Sequence, residues 1–396
     1  MRVLVAVASF PPAWTSAATL YSALVDELAG YPDTTVTVVT LSGHTKVQVA
    51  DYWRNDSVKV KRIAMPILFS AIPCGGGVRQ FWLFIRLLIS ILFGPKVDVC
   101  LAYSPPLFLS FAATLACRIR RIPCIVNVQD LHPKVLVETG LLKSKQLAQL
   151  LFKVESIVYR LATTLVVYSG GNSEYLIKRG VLQAKIEVCP NWYVGTQVSI
   201  EDPVTRRIKA VLANRLISIV YAGSFGVAQQ LGDVIECAKH FEGRHDVQFV
   251  LIGDGPESES LQRKAKHLKN VVIEKPVAPQ YYATILEYTD IGLVCLGEGV
   301  PRETVPGKLQ NLMAAGVPVV AAVPEFGDAS SLIRQSECGL VVASGDIEEL
   351  AKSVLRLVEN SDQRQQMGRR GIDASREFSV VTCAKKYRQV ILDAVS

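Results

Sequence analysis

The sequence predicts an α/β chain of two doubly wound parallel-sheet domains that face each other across a cleft. Two observations carry this expectation: a length of 396 residues, and short apolar runs alternating with longer helical segments along the whole chain. A single hydrophobic core stops growing near about 250–300 residues, so a chain this long divides into domains of about 100–200 residues. With 49% hydrophobic and 20% charged residues and no low-complexity run, both halves hold enough apolar material to fold.

Apolar runs of strand length, bounded by turn residues and separated by segments of helical period, are the pattern of repeated βαβ units. The first half offers Val3–Ala8, Thr35–Leu41, Val97–Tyr103, Cys124–Val128, Thr164–Tyr168 and Ile186–Cys189. The second offers Ile217–Tyr221, Gln248–Ile252, Val271–Ile273, Ile291–Val294, Pro318–Ala322 and Leu340–Val342. Two sheets of about six strands each follow. Between Pro190-Asn191-Trp192 and Leu216 the chain is polar and strandless, which places the boundary there: 1–196 for the first domain and 197–378 for the second. Thr382–Ala394 is amphipathic, so 379–396 is expected to form a C-terminal helix able to pack on either domain, the first included.

Composition narrows the classes of function. The opening MRVLVAVASF is too short for a secretory core and is ended by Pro11-Pro12, so it reads as a buried first strand. Nine cysteines stand singly, with no Cys-x-x-Cys, which argues against a zinc site or a disulfide framework and fits a reducing cytoplasm. Residues 1–195 carry 20 Lys and Arg against 11 Asp and Glu (20 − 11 = +9), and the remainder 23 against 25 (23 − 25 = −2). A basic half beside a neutral one points to an anionic partner, a lipid surface or a phosphorylated acceptor. No base-stacking or groove-reading motif accompanies the charge, so nucleic acid is not expected.

Two segments carry chemistry. Gln248–Ile252 runs into Gly253-Asp254-Gly255-Pro256 and then a helical stretch from Glu257, a turn that serves either strand-to-helix geometry or the approach of an anion to the backbone. Farther on, Glu303-Thr304-Val305-Pro306-Gly307-Lys308-Leu309-Gln310-Asn311 leads into Leu312–Gly316. Pro306-Gly307 precedes a helix from Lys308 to Ala315, whose free N–H groups and dipole suit a diphosphate, with Lys308 adding charge. Glu303 stands just before it, where a carboxylate can accept from sugar hydroxyls. A capping carboxylate and a helix stop account for Gly316, but not for Gly307 and Lys308 together. The chain has no Asp-x-Asp triplet, so no catalytic metal and no cofactor is expected.

On these residues the chain resembles glycosyltransferase family four, the retaining enzymes of GT-B fold, over nearly its whole length. Glu303 and Asn311 stand at the family's two acidic positions, and Tyr221-Ala222-Gly223-Ser224-Phe225-Gly226 and Leu251–Pro256 resemble its glycine turns. The resemblance implies a donor set of Gly223, Ser224, Gly226, Gln229, Gly253, Gly255, Pro306, Gly307, Lys308, Leu309 and Asn311, with Glu303, Asp130 and His132 as catalytic candidates. Tyr103–Pro106, Val128–Pro133 and Ile186–Trp192 are similar to the O-antigen fucosaminyltransferase and colanic-acid transferase subgroup. That implies a UDP- or GDP-sugar donor, an acceptor saccharide on undecaprenyl diphosphate, and bacterial surface-polysaccharide synthesis. Aligned by the glycine turn, Ser224 and Gln229 replace an Arg and a Lys common in the family. Gln129 replaces a His, and Thr15-Ser16 an early glycine pair. Asp130 and His132 each have a plainer reading, an Asx-turn and a loop histidine.

The run Phe81–Phe93 spans only about 20 Å as a helix, too short for a bilayer core of about 30 Å. It is either a core helix or an interfacial one that seats the basic half on the anionic inner membrane face. Two other functions share the expected fold. A sugar-nucleotide 2-epimerase needs carboxylates placed for proton transfer and turns over without acceptor. A non-catalytic sugar-nucleotide-binding subunit would bind donor and need a second protein.

Overall fold

The computed structural model describes residues 1–13, 15–41, 57–63, 76–193, 202–214 and 216–396. The chain divides into two units, Met1–Asn191 with Val380–Ser396, and Trp192–Ser379. The boundary expected near residue 196 falls outside the described residues.

In the first unit, β-branched runs form β1 (Arg2–Val7), β2 (Thr35–Leu41), β3 (Val58–Ile63), β4 (Val99–Ser104), β5 (Cys124–Val128), β6 (Thr164–Val167) and β7 (Ile186–Val188). They join in the order β3-β2-β1-β4-β5-β6-β7, every pairing parallel. The sheet has seven strands where the sequence suggests six. The strand that sequence reading passes over is β3, Val-Lys-Val-Lys-Arg-Ile, whose Lys59 and Lys61 are outward positions of an edge strand. Lysines there deter further strand pairing, and they also give the segment the look of a loop. Central strands such as β4 and β5 are buried at every residue, as a sheet covered on both faces requires.

The crossovers are α1 (Ser16–Ala29), α2 (Gly76–Leu92), α3 (Leu107–Arg120), α4 (Lys134–Glu138), α5 (Lys145–Leu161) and α6 (Gly170–Lys178). Right-handed connections put α2, α3, α5 and α6 on one face, because each leads toward β7, and α1 on the other. Thr15, at the position of the family's early glycine pair, caps α1 by accepting from the Ala18 N–H (3.1 Å).

The second unit contains α7 (Pro203–Leu212), capped by Asp202, followed by β8 (Ile217–Ser224), α8 (Gly232–Lys239), β9 (Val247–Asp254), α9 (Ser258–Ala265), β10 (Val271–Glu274) and α10 (Tyr282–Leu286). It continues with β11 (Ile291–Cys295), α11 (Gly307–Ala314), β12 (Val319–Val323), α12 (Asp328–Ser336), β13 (Gly339–Ala343), α13 (Ile347–Glu359) and α14 (Ser361–Ser375). Its six strands run parallel in the order β10-β9-β8-β11-β12-β13.

The last helix, α15 (Val380–Val395), belongs to the first unit and packs beside α1. Cys383, Tyr387 and Ile391 are buried in that packing. On its outer side Arg388 donates to Asp33 (2.9 Å) and to the Thr34 hydroxyl (3.0 Å), with the guanidinium 4.0 Å from the Tyr31 ring centroid.

Candidate active site

A doubly wound sheet opens a crevice at the carboxyl ends of its strands where the winding reverses, because the connections there leave in opposite directions. In the second unit that point lies between β8 and β11. β8 ends in Gly223 and Ser224, and β11 leads through residues 296–306 into α11. Lys308, in the first turn of α11, has its Nζ 3.5 Å from the centroid of the Tyr221 ring on β8. A Cβ built on Gly223 would come 2.8 Å from that nitrogen, so the ammonium occupies the space a side chain at 223 would take. The Tyr221 hydroxyl donates to the Ser224 carbonyl (2.9 Å), tying the ring to the turn.

Among the described residues no carboxylate is paired with Lys308. The residue as a whole is half-buried, but its amine sits among the Gly223 backbone, the Tyr221 ring and Cys295. Desolvation there pulls the amine down to about 7, against an upward pull from the Cys295 thiol.

Pro306 occupies the N-cap of α11, and no side chain caps the helix. A Cβ on Gly307 would meet nothing within 4 Å, so packing does not demand glycine at this position. The helix therefore presents N–H groups, the positive end of its dipole and the Lys308 amine at one open place. Leu309 is fully buried and anchors the turn. The Asn311 amide donates to the Gly307 carbonyl (2.9 Å), so its nitrogen is engaged on its own helix. Glu303 is half-buried in the segment entering the helix. That segment is held by the Arg302 carbonyl, which accepts from the Asp328 N–H at the start of α12 (2.8 Å).

The other glycines do different work. Gly253 pairs with Gly223 across β8 and β9, and a Cβ on it would lie 1.9 Å from the Gly223 oxygen. A Cβ on Gly255 would lie 2.6 Å from the Phe225 oxygen. Phe225 is bonded on both sides, its N–H to the Asp254 oxygen and its oxygen to the Glu257 N–H (2.9 Å each). Gly253 and Gly255 thus allow two strand ends to close on each other and support the Gly223 turn. Gln229 accepts from the Gly226 N–H (3.2 Å), which holds this turn, whereas Ser224 is exposed.

In the first unit Asp130 and His132 follow β5. The Asp130 carboxylate makes no hydrogen bond among the described residues, so the Asx-turn reading fails; its backbone oxygen accepts from the His132 N–H instead (2.9 Å). Asp130 keeps contact with solvent, yet its surroundings desolvate the carboxyl and raise it above the ordinary range, opposed by attraction to His132. Desolvation lowers the half-buried His132 imidazole, opposed by Asp130. Tyr103, at the end of β4, feels the same carboxylate: burial first, then Asp130 and Tyr168, push its phenol up. Tyr103 and Tyr168 thus join Asp130, and Tyr221 joins Lys308; their positions at strand ends are the signal in the sequence that points to them. Gln129 is accounted for by structure, since its amide donates to Asn127 (3.0 Å) and accepts from Asn191 (2.7 Å) in a buried chain that Asn127 extends to the Tyr21 hydroxyl (2.9 Å).

Among the described residues one group of metal-ligand types converges: the sulfurs of Cys100, Cys117 and Cys124 lie within 4.8 Å of one another. All three are buried in the apolar core of the first unit, where free cysteine packs as a small hydrophobe, and they supply three of the four ligands a structural zinc takes.

Two doubly wound parallel sheets, of seven and six strands, define the GT-B class. The chain belongs to the glycosyltransferases: residues 15–192 match the glycosyl transferase 4-like domain and residues 217–360 the glycosyl transferases group 1 model. It is similar to a probable glycosyltransferase of Pseudomonas aeruginosa, WbjE, at 26% identity over 66% of either chain. It is also similar to a putative colanic acid biosynthesis glycosyl transferase of Escherichia coli (strain K12), WcaI, at 23% over 60% of each. These matches span two thirds or less of the relatives' length. HepE of Anabaena, solved in complex with UDP, shares the fold with a TM-score of 0.68 and 16% identity, over 99% of this chain and 100% of that one.

Proposed function

We propose that this chain moves a sugar, an N-acetylated aminosugar such as N-acetylfucosamine, from a UDP-linked donor to an undecaprenyl-diphosphate-linked saccharide during bacterial surface-polysaccharide synthesis. It works at the anionic inner membrane face, with the first unit taking acceptor and the second donor. The observation that carries this reading is the unpaired Lys308 amine lodged at the uncapped start of α11, in the space left by Gly223. Similarity to a UDP-bound structure supports the base, and similarity to WcaI supports the class of product. As the glycosidic bond breaks, charge grows on the departing diphosphate, and Lys308 with the N–H groups of Gly307 and Lys308 meets it without reorganising. Glu303 accepts from hydroxyls of the donor sugar. Asp130 and His132 orient the acceptor hydroxyl, and the lowered pKa of His132 keeps its imidazole neutral and able to take a proton.

The direct test is transfer from a panel of UDP-sugars to a lipid-linked acceptor. Turnover of UDP-N-acetylglucosamine with no acceptor present would make the protein an epimerase instead, and donor binding that needs a second protein for turnover would make it a subunit. Glu303→Ala is expected to lower turnover at least about tenfold with the fold intact. Near-normal turnover removes Glu303 from the site. Transfer is also expected to persist in excess chelator; its loss, with recovery on adding magnesium, would mean that a metal ion and not Lys308 neutralises the diphosphate.

A further inference from the structure

We infer that the outward face of the layer formed by α2, α3 and α5 seats the first unit on an anionic lipid surface; this rests on the membrane reading above and names the surface responsible. The three helices lie side by side on one face of the sheet, α3 in the middle. Leu83, Leu87 and Ile91 bury one side of α2. On its other side an apolar residue recurs every fourth position, Phe81, Ile85, Ile89 and Phe93, with Phe81 66% and Phe93 84% exposed. Helix α3 is buried except for Arg118 and Arg120 near its end and an outward row in which half-buried Phe108, Phe111 and Leu115, the two phenylalanines also packing on the core, lead to Ile119, 60% exposed. On α5 the outward stripe is Leu147, Leu150 and Ile157, 45%, 56% and 39% exposed, with half-buried Val154 between them packing on the core. The Phe81–Phe93 helix is therefore a core helix on one side and an open apolar stripe on the other, and the stripe continues across two neighbours.

The charge on this layer has one sign. Across the three helices the only carboxylate is Glu155, which is fully buried and bonded to Tyr159, Tyr175 and Arg179. Arg86, Arg118, Lys145, Lys153 and Arg160 are all exposed. On the opposite face the signs mix: α1 carries Asp26 and Glu27, and α15 carries Asp393 beside Lys385, Lys386 and Arg388. An apolar surface ringed only by cations is complementary to anionic headgroups over acyl chains. A second copy of the same face would set these cations against their equals. No described helix is long and apolar enough to cross a membrane, so this contact lies along the surface. All three helices begin at the carboxyl edge of the sheet, the edge that bears Asp130 and His132.

The test uses the full chain with vesicles of phosphatidylcholine, alone or mixed with phosphatidylglycerol. Wild-type protein is expected to co-sediment with the mixed vesicles at low salt, and to weaken but not vanish as salt rises, since salt screens charge and leaves apolar burial intact. A triple variant with one exposed position per helix, Phe93→Ser with Ile119→Ser and Leu150→Ser, is expected to lose the salt-resistant part at least about tenfold. Arg118→Glu with Lys153→Glu is expected to lose low-salt binding by about as much. Both should keep wild-type melting temperature and UDP binding. Wild-type protein that ignores mixed vesicles, or variants that partition as wild type, overturn the proposal. A wild-type dimer that becomes monomeric in the triple variant assigns the face to a second copy. Transfer to a water-soluble acceptor separates the two readings: if every form lacks it the proposed function fails, and if it survives while vesicle binding is unchanged by the substitutions only the docking face fails.

Discussion

Replacing Lys308 by Met is expected to lower kcat/KM for a UDP-sugar by about 10²-fold, on the scale of about 1.5–3 kcal/mol, the contribution of a hydrogen bond to a charged group. Most of the loss should lie in donor binding, measured by calorimetry with UDP, because the diphosphate is charged before and after transfer. The same residue sets the pH dependence. In the free protein desolvation holds the amine near about 7, and a diphosphate beside it favours the ammonium and raises that value. Below pH 7 the amine is already charged and affinity should be flat. Above it, binding must take up a proton, so affinity should fall by up to about tenfold per pH unit until the bound-state value is reached. Lys308→Met should abolish both the slope and the proton uptake. A wild-type affinity that is flat from pH 6 to 9 would falsify the assignment of Lys308 to the diphosphate.

The glycines of the second unit divide into two kinds, and substitution should separate them sharply. Gly253→Ala would put a Cβ 1.9 Å from the Gly223 oxygen, between backbones that cannot move apart without breaking the β8–β9 pairing. The expected cost is about 3 kcal/mol, in the upper range of overpacking. That corresponds to a fall of about 6–12 °C in melting temperature. Gly307→Ala meets nothing within 4 Å and replaces glycine in the first turn of a helix, so stability should hold or rise slightly. If the diphosphate approaches this backbone, Gly307→Ala should nonetheless weaken UDP binding. Equal melting temperatures for the two variants would refute the division, and unchanged UDP affinity in Gly307→Ala would take the helix start out of the donor site.

Two parallel sheets, their strand-and-helix alternation and the helix after Pro306 were all legible in the sequence, because hydrophobic period and turn chemistry are local properties. The strand β3 was not, since lysines at alternate positions of an edge strand carry the signature of solvent, and only its pairing with β2 makes it a strand. Sequence also singled out Lys308, Gly307 and the glycine turns, but gave the glycines one role. Which glycine admits an amine, which admits a backbone and which stands in open space depends on what the winding of the sheet lays beside each.

The same holds for the cysteines, which stand singly along the chain. Three of them meet in space because β4 and β5 are neighbours and α3 crosses between them. The apolar period of Phe81–Phe93 left open whether this helix is core or interfacial, and the covered side became visible only in the fold. That the other side joins two more open stripes, with no exposed carboxylate among them, was decided by strand order. Periodicity along a chain records which residues avoid water, whereas what they avoid it against is set by contacts between segments far apart in sequence, and these exist only once the sheet has been wound.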